Sequence, residues 1–333
     1  TAPYASDPVA ANLISFAPRD SGKWASQSWR DSNVGYAGGR FALDVNAIWA
    51  PHALESVGRI LEALRSIGRS TESLEANTPL GRYARDRQAL RGAVENWRGA
   101  SRHFVVALTP TDVRARVAAR LAAMTPDERR HWTDVIARTN ADADSLTFLA
   151  LALDGAGRPI AVANSDPATR LFLGDGEGPR SAPDARARAE VLRDVRLFAR
   201  PYPVGLLVDS VGPVVANDAY ASPSIWPDFE RDRYHGPRVV WGRENNLFLI
   251  GTMARIADAR GDAALTPYVR ELRGAIDRVL AAVDASGFHS ELWSYEVKDG
   301  RIVPVRYGSG SDVQLWSTTD LVVAYGRWRL ERH

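Results

Sequence analysis

Apolar residues recur at helical steps along much of the chain. From Asp44 onward, Val45, Ile48, Trp49, His52, Ala53, Val57, Ile60, Leu61 and Leu64 mark out one helix, and Gly68 closes it. A second helix is predicted over 78–104, with Leu80, Tyr83, Leu90, Val94 and Trp97 on one face. Thr109-Pro110-Thr111 leads into an Ala/Arg-rich helix over 112–124. Thr125-Pro126-Asp127 opens another that the pattern carries to 153. A threonine followed by proline is a start signal because the hydroxyl oxygen accepts from an orphan backbone N–H, and proline has none to leave unpaired. Further helices are predicted at 187–198, 244–260, 267–283 and 315–330. Strand signals are brief, at 302–305 and 159–163. The stretch 202–224 reads as loop punctuated by Pro and Gly. No short repeat of the solenoid kind is visible.

The expected fold is therefore all-α in the main, with about eight helices and long loops between them. It reads as one domain: an N-terminal loop region, 1–40, carrying part of the site, followed by a helical region, 41–333.

Composition narrows the function. Lys plus Arg is 42 and Asp plus Glu is 40, a net charge of +2. That balance argues against a basic nucleic-acid binder. No run of about 18 apolar residues is present to span a membrane. Cysteine is absent, which removes disulfides, thiol nucleophiles and thiolate metal sites. The 6 histidines are scattered and none pair at metal-ligand spacing, so neither a metal nor another cofactor is expected. Ten tryptophans is a high count, and several sit in polar loops. Trp97, Trp132 and Trp328 lie inside predicted helices and read as core; Trp29, Trp241 and Trp293 are flanked by polar residues and read as walls of a site.

Three loops concentrate candidate chemistry. The first is Ser28-Trp29-Arg30-Asp31-Ser32-Asn33, continuing to Arg40 and to Asp44-Val45-Asn46. Asp44 and Asn46 stand at a helix start, so they either cap it or serve the site. The second is Tyr234-His235-Gly236-Pro237-Arg238-Val239-Val240-Trp241-Gly242-Arg243-Glu244-Asn245-Asn246. There, Arg243 and Asn245 suit sugar hydroxyls, and Glu244 alternatively only complements a helix dipole. The third is Glu291-Leu292-Trp293, followed by Asp312-Val313-Gln314-Leu315-Trp316-Ser317.

In order and spacing, these blocks resemble the catalytic half of the six-hairpin glycoside hydrolases, α/α toroids of paired helices that include trehalases and processing α-glucosidases. SWRDS followed by FALDVNA stands for the family's Asp-bearing loop and its Val-Asp-Leu-Asn-Ala-like helix start. YHGPRVVWGRENN stands for its later Trp loop, and Glu291, fifty residues after Trp241, for its Glu-x-Tyr. The chain departs at Arg30, at Trp293 for Tyr, and in having no multi-glycine run before Gln314. The resemblance implies Asp31 as general acid and Glu291 as general base of an inverting glycosidase acting on a small glucoside-type oligosaccharide. In such enzymes the carboxyls stand about 6.5–9.5 Å apart. It further implies Trp29, Trp241 and Trp293 as walls, with Arg30, Arg40, Asp44, Asn46, Arg243, Asn245, Asp312 and Gln314 around the substrate. Arg30 would oppose protonation of its neighbour Asp31 unless its side chain turns away.

Only 27 residues precede the first of these loops. The expected toroid is accordingly incomplete, to be completed by a second chain or a missing N-terminal part. The first residue is Thr1, which suggests a removed leader and a periplasmic or secreted protein. Two competing readings stand beside the hydrolase. One is a helical carbohydrate-binding protein without catalysis. The other is an amidohydrolase using Thr1 as N-terminal nucleophile, which requires stacked sheets around it.

Overall fold

The computed structural model describes residues 1–18, 26–32, 34–71, 73–174, 184–307 and 318–332, and they are mostly helical. Capping decides where helices begin. Thr109 Oγ1 accepts from Asp112 N while the Asp112 carboxylate accepts from Thr109 N, a reciprocal box that starts helix Pro110–Ala122. Thr125 and Glu128 repeat the device at helix Pro126–Thr139. That helix stops at Asn140, whose φ of 51° is left-handed, so the expected continuation to 153 is replaced by strands Leu146–Leu149 and Ala152–Leu153. The single helix expected over 78–104 is three pieces, because Asp86 turns extended and its carboxylate caps the following helix through Gln88 N and Ala89 N. In the N-terminal region expected as loop, Ala2–Ser6 is a short helix. The helix expected from Asp44 opens with a π-helical stretch, Asp44–Trp49, and runs on as Ala50–Ser66. It buries Leu54 and Leu61 and leaves Trp49 and Ile60 to solvent. Helices Ala185–Ala199, Gly242–Asp258, Thr266–Ser286 and Thr319–Arg332 match their predicted positions closely.

Helix Gly242–Asp258 is central. It contacts helices Pro167–Leu173, Thr266–Ser286 and Thr319–Arg332, and residues on all its faces are buried. Gly251 permits the closest of these contacts: a Cβ there would lie 2.5 Å from the Leu171 carbonyl carbon. Among the described residues the buried apolar side chains form three clusters. The largest lies around the central helix, another beneath Tyr4, Trp97 and Phe104, and the smallest, with Phe16, Tyr36, Val162, Val215 and Phe229, beneath the loops that carry Trp29 and Trp241.

The sheets among the described residues have two or three strands each. Thr1 is exposed at the start of helix Ala2–Ser6, so the N-terminal-nucleophile reading finds neither stacked sheets nor a buried Thr1. No helix among the described residues is long and apolar enough to cross a membrane.

A longer, irregular repeat is also present in the chain. Residues 151–166, LALDGAGRPIAVANSD, and 206–218, LLVDSVGPVVAND, are two copies of one hairpin module. Each makes a small antiparallel hairpin, and the Ala-Asn strands that follow pair with each other, Ala163 opposite Asn217 and Asn164 opposite Ala216. Each asparagine amide donates to two backbone carbonyls: Asn164 to Leu149 and Val162, Asn217 to Pro203 and Gly205. Each aspartate then receives a buried arginine, Arg30 on Asp166 and Arg120 on Asp218. The module tolerates a three-residue difference in length and differing helices afterwards, which is why it escapes a search for short repeats.

The helix crossing at Gly251 yields a stability prediction. Gly251→Ala forces backbone apart and should cost about 1–3 kcal/mol. Gly274→Ala, where a Cβ meets nothing nearer than 3.7 Å, should instead stabilise by about 0.5–1 kcal/mol. Urea unfolding of the two variants measures both.

Candidate functional site

Strand Val239–Trp241 pairs with Leu292–Lys298, setting Trp241 opposite Leu292, and Gly242 N donates to Glu291 O at 2.8 Å. Gly242 is required there, since a Cβ would sit 2.4 Å from Ser290 O. The Trp241 ring meets Trp29 edge-to-face, with centroids 5.7 Å apart. His235 lies parallel to Trp241 at 5.8 Å and edge-on to Trp29 at 5.5 Å. Tyr234, half-exposed, adds its ring beside Tyr307 and accepts the Trp241 indole N–H at its carbonyl. Asp31, exposed, follows Trp29 by two residues; Glu291, half-buried, precedes the strand that pairs with Trp241. The loops bearing these two carboxylates thus meet at one aromatic cluster.

Charged groups lie buried next to that cluster. The Arg30 guanidinium lies over the Trp29 ring at 4.4 Å. Its Nε and Nη2 donate to Asp166 Oδ1 at 3.0 and 2.8 Å, and Nη2 also donates to Val215 O. Both side chains of this ion pair are fully buried. Asp44 accepts from Ser28 Oγ at 2.6 Å and from the Tyr36 hydroxyl at 2.9 Å. Burial, with Asp166 adding repulsion, pushes the Asp44 carboxyl up to about 6. Glu244, in the first turn of helix Gly242–Asp258, pairs with Arg243. Burial nonetheless pushes its carboxyl up to about 7; Arg243 opposes the rise, and Asp166 and Asp44 reinforce it. Arg30 Nη1, Asp166 Oδ2 and Glu244 Oε2 are buried without a hydrogen-bond partner. The arrangement holds two carboxyls whose proton exchange falls near neutral pH, the range that general acid–base chemistry uses.

The remaining predicted residues divide. Arg40 covers the Phe41 ring at 5.1 Å. Asn46 is structural: its amide donates to Ile14 O and Ala42 O, and its carbonyl accepts from Ile14 N. Trp293 is no wall in this structure; it is buried in the core and donates its indole N–H to Val211 O. Asn245 is buried with its amide near Gly212. Asp44 does not cap its helix, because its carboxylate is taken by Ser28 and Tyr36. Asp312 and Gln314 lie outside the described residues.

Sequence reasoning gave Tyr36 no role, quoted Ser28 only as part of its loop, placed Asp166 in a structured loop or on a pocket rim, and gave Glu244 only a dipole role. The repeated Ala-Asn…Asp module was the available signal for Asp166.

A second polar cluster joins Ser32, Asp232 and His235. Ser32 Oγ donates to Asp232 Oδ2 at 2.5 Å and lies 3.0 Å from His235 Nδ1. Burial raises the Asp232 carboxyl, but hydrogen bonds from His235, Ser32 and the backbone of Tyr234 and His235 outweigh it and hold it down at about 2. The residue types are those of a nucleophilic triad, but the geometry is not. In a triad the hydroxyl and the carboxylate engage opposite imidazole nitrogens, whereas here both lie on the Nδ1 side.

Among the described residues, no group of three or more His, Asp or Glu side chains is arranged to hold a metal ion. Comparison with protein-family models, curated proteins and solved structures finds no match.

The raised carboxyls make stability pH-dependent. Asp44 and Glu244 bind protons more tightly in the folded protein than in the unfolded chain, so their contribution is greatest below about pH 4 and declines as pH rises through 6 and 7. Removing Glu244 as Glu244→Gln should stabilise the protein more at pH 8 than at pH 5, by a difference on the order of 3 kcal/mol. Urea midpoints of both proteins at the two pH values measure it; an equal effect at each would contradict the assignment.

Proposed function

We propose that the protein is a glycoside hydrolase, inverting, acting on a small glucoside-type oligosaccharide at the Trp29–Trp241 cluster. One observation carries the reading. The loops of Asp31 and Glu291, separated by 260 residues in the chain, meet at the same indole pair, because Trp29 packs on Trp241 and Gly242 is bonded to the Glu291 backbone carbonyl.

Aromatic faces accept the C–H faces of a pyranose, and the carboxylates beside them supply the two groups that hydrolysis needs. Asp31 protonates the leaving oxygen, and Glu291 takes a proton from the water that attacks from the opposite face of the ring. Arg30 is committed to Asp166 in a buried ion pair. Asp44 and Glu244, buried close to the indole pair in the chain, hold their protons further up the pH scale than ordinary carboxyls. The largely helical architecture is compatible with a toroid of helical hairpins.

The exposure of Asp31 favours one competing reading, a carbohydrate-binding protein without turnover. A general acid usually works in a sheltered setting.

A panel of aryl glucosides and α-linked disaccharides, read by NMR for the anomer first released, separates the two. The hydrolase releases the inverted anomer, and Asp31→Asn and Glu291→Gln each lower kcat by about 10²–10⁴-fold with little change in binding. Binding without turnover by the unmodified protein would sink the hydrolase. Full turnover by both variants would sink the assignment of acid and base.

A further inference from the structure

We infer that Ser32, Asp232 and His235 form a positioning clasp that fixes the backbone at Asp31 relative to the indole pair; this rests on the reading of Asp31 as the general acid.

Asp31 is exposed, but both of its neighbours are anchored. Before it, Arg30 is locked to Asp166 and to Val215 O. After it, Ser32 reaches 200 residues along the chain to Asp232, with a hydrogen bond of 2.5 Å. Asp232 is itself rigidly held. Its second oxygen accepts from Tyr234 N at 2.8 Å and His235 N at 3.1 Å. The loop it heads closes with Gly236 N on Asp232 O, so tightly that a Cβ at Gly236 would lie 2.3 Å from that oxygen. The loop bearing Asp31 is equally tight, since a Cβ at Gly35 would sit 2.5 Å from Arg30 O.

His235 joins the two functions. Its Nδ1 lies 3.0 Å from Ser32 Oγ, and its ring packs against both Trp241 and Trp29. One hydroxyl therefore ties the loop of the acid to the imidazole on which both indoles rest. A two-sided anchor fixes the Asp31 backbone without covering its side chain, which leaves the carboxylate open to substrate.

The test is Ser32→Ala beside Ser32→Thr, which keeps the hydroxyl. Misplacing a general acid harms substrates whose leaving oxygen needs a proton and spares those that leave as stable anions. Ser32→Ala should lower kcat on an alkyl or sugar glucoside by about 10–100-fold while changing kcat on the 2,4-dinitrophenyl glucoside by less than about threefold. Ser32→Thr should restore most of the loss. Hydrogen–deuterium exchange supplies a readout independent of turnover: amides of residues 26–32 should exchange at least about tenfold faster in Ser32→Ala and at the unmodified rate in Ser32→Thr. Equal losses on both classes of substrate, or unchanged exchange in Ser32→Ala, would overturn the clasp. Absence of turnover by the unmodified protein on every substrate would overturn the catalytic role together with the hydrolase reading. The exchange result would then still report whether the clasp holds the loop.

Discussion

The buried pair of Arg30 and Asp166 is the constraint on which the rest of the site depends. Both side chains are fully buried, and each belongs to a different part of the chain. Arg30 comes from the loop that carries Trp29 and Asp31, and Asp166 from the turn before helix Pro167–Leu173. The same guanidinium reaches Val215 O in the second hairpin module. Three segments distant in sequence therefore converge on one cation. Removing one partner of such a pair leaves an uncompensated buried charge and typically costs about 3–5 kcal/mol. The pair is better understood as a device that selects one arrangement of loops than as a net source of stability.

Its electrostatic consequences spread to the neighbouring acids. Asp166 repels Asp44 and Glu244, and burial penalises their charged forms further. Arg243 and the dipole of helix Gly242–Asp258 pull Glu244 the other way, and burial outweighs them. Two carboxyls are thereby left titrating close to neutrality next to an aromatic cluster. Asp232, only a few side chains away in the second polar cluster, is driven in the opposite direction by its hydrogen-bond donors. Environment, rather than residue type, sets these proton affinities apart.

The paired hairpin modules show one local solution used twice with different outcomes. Asn164 and Asn217 satisfy backbone carbonyls in the same manner. Asp166 and Asp218 each receive an arginine. In the first copy that arginine underlies the aromatic cluster, whereas in the second Arg120 lies near Trp226 and Glu230, away from it. Antiparallel pairing of the two Ala-Asn strands joins the copies into one scaffold.

Helix positions were legible in the chain because caps and apolar spacing are local: Thr109-Pro110 and Thr125-Pro126 start their helices for reasons contained within a few residues. The prominence of Trp29, Trp241 and the three polar loops was legible as well, since polar residues around tryptophan mark a surface or site. Helix ends were less so, as at Asn140, where a left-handed residue ends a helix that the apolar pattern alone would continue. What could not be read locally was which loop meets which. Trp293 and Trp241 sit in similar sequence surroundings, yet strand pairing buries one ring and presents the other to Trp29. Asn46 looks like a site residue until its amide is found spent on Ile14 and Ala42. Asp166, Glu244 and the Ser32–Asp232 contact acquire meaning only through partners up to 200 residues away. The sequence by itself determined the helical class and the residue types available for chemistry, because capping and periodicity act over a few residues. The tertiary structure alone decided which carboxyls are buried, which are paired and which stand open, because burial and Coulomb interactions depend on distance in space.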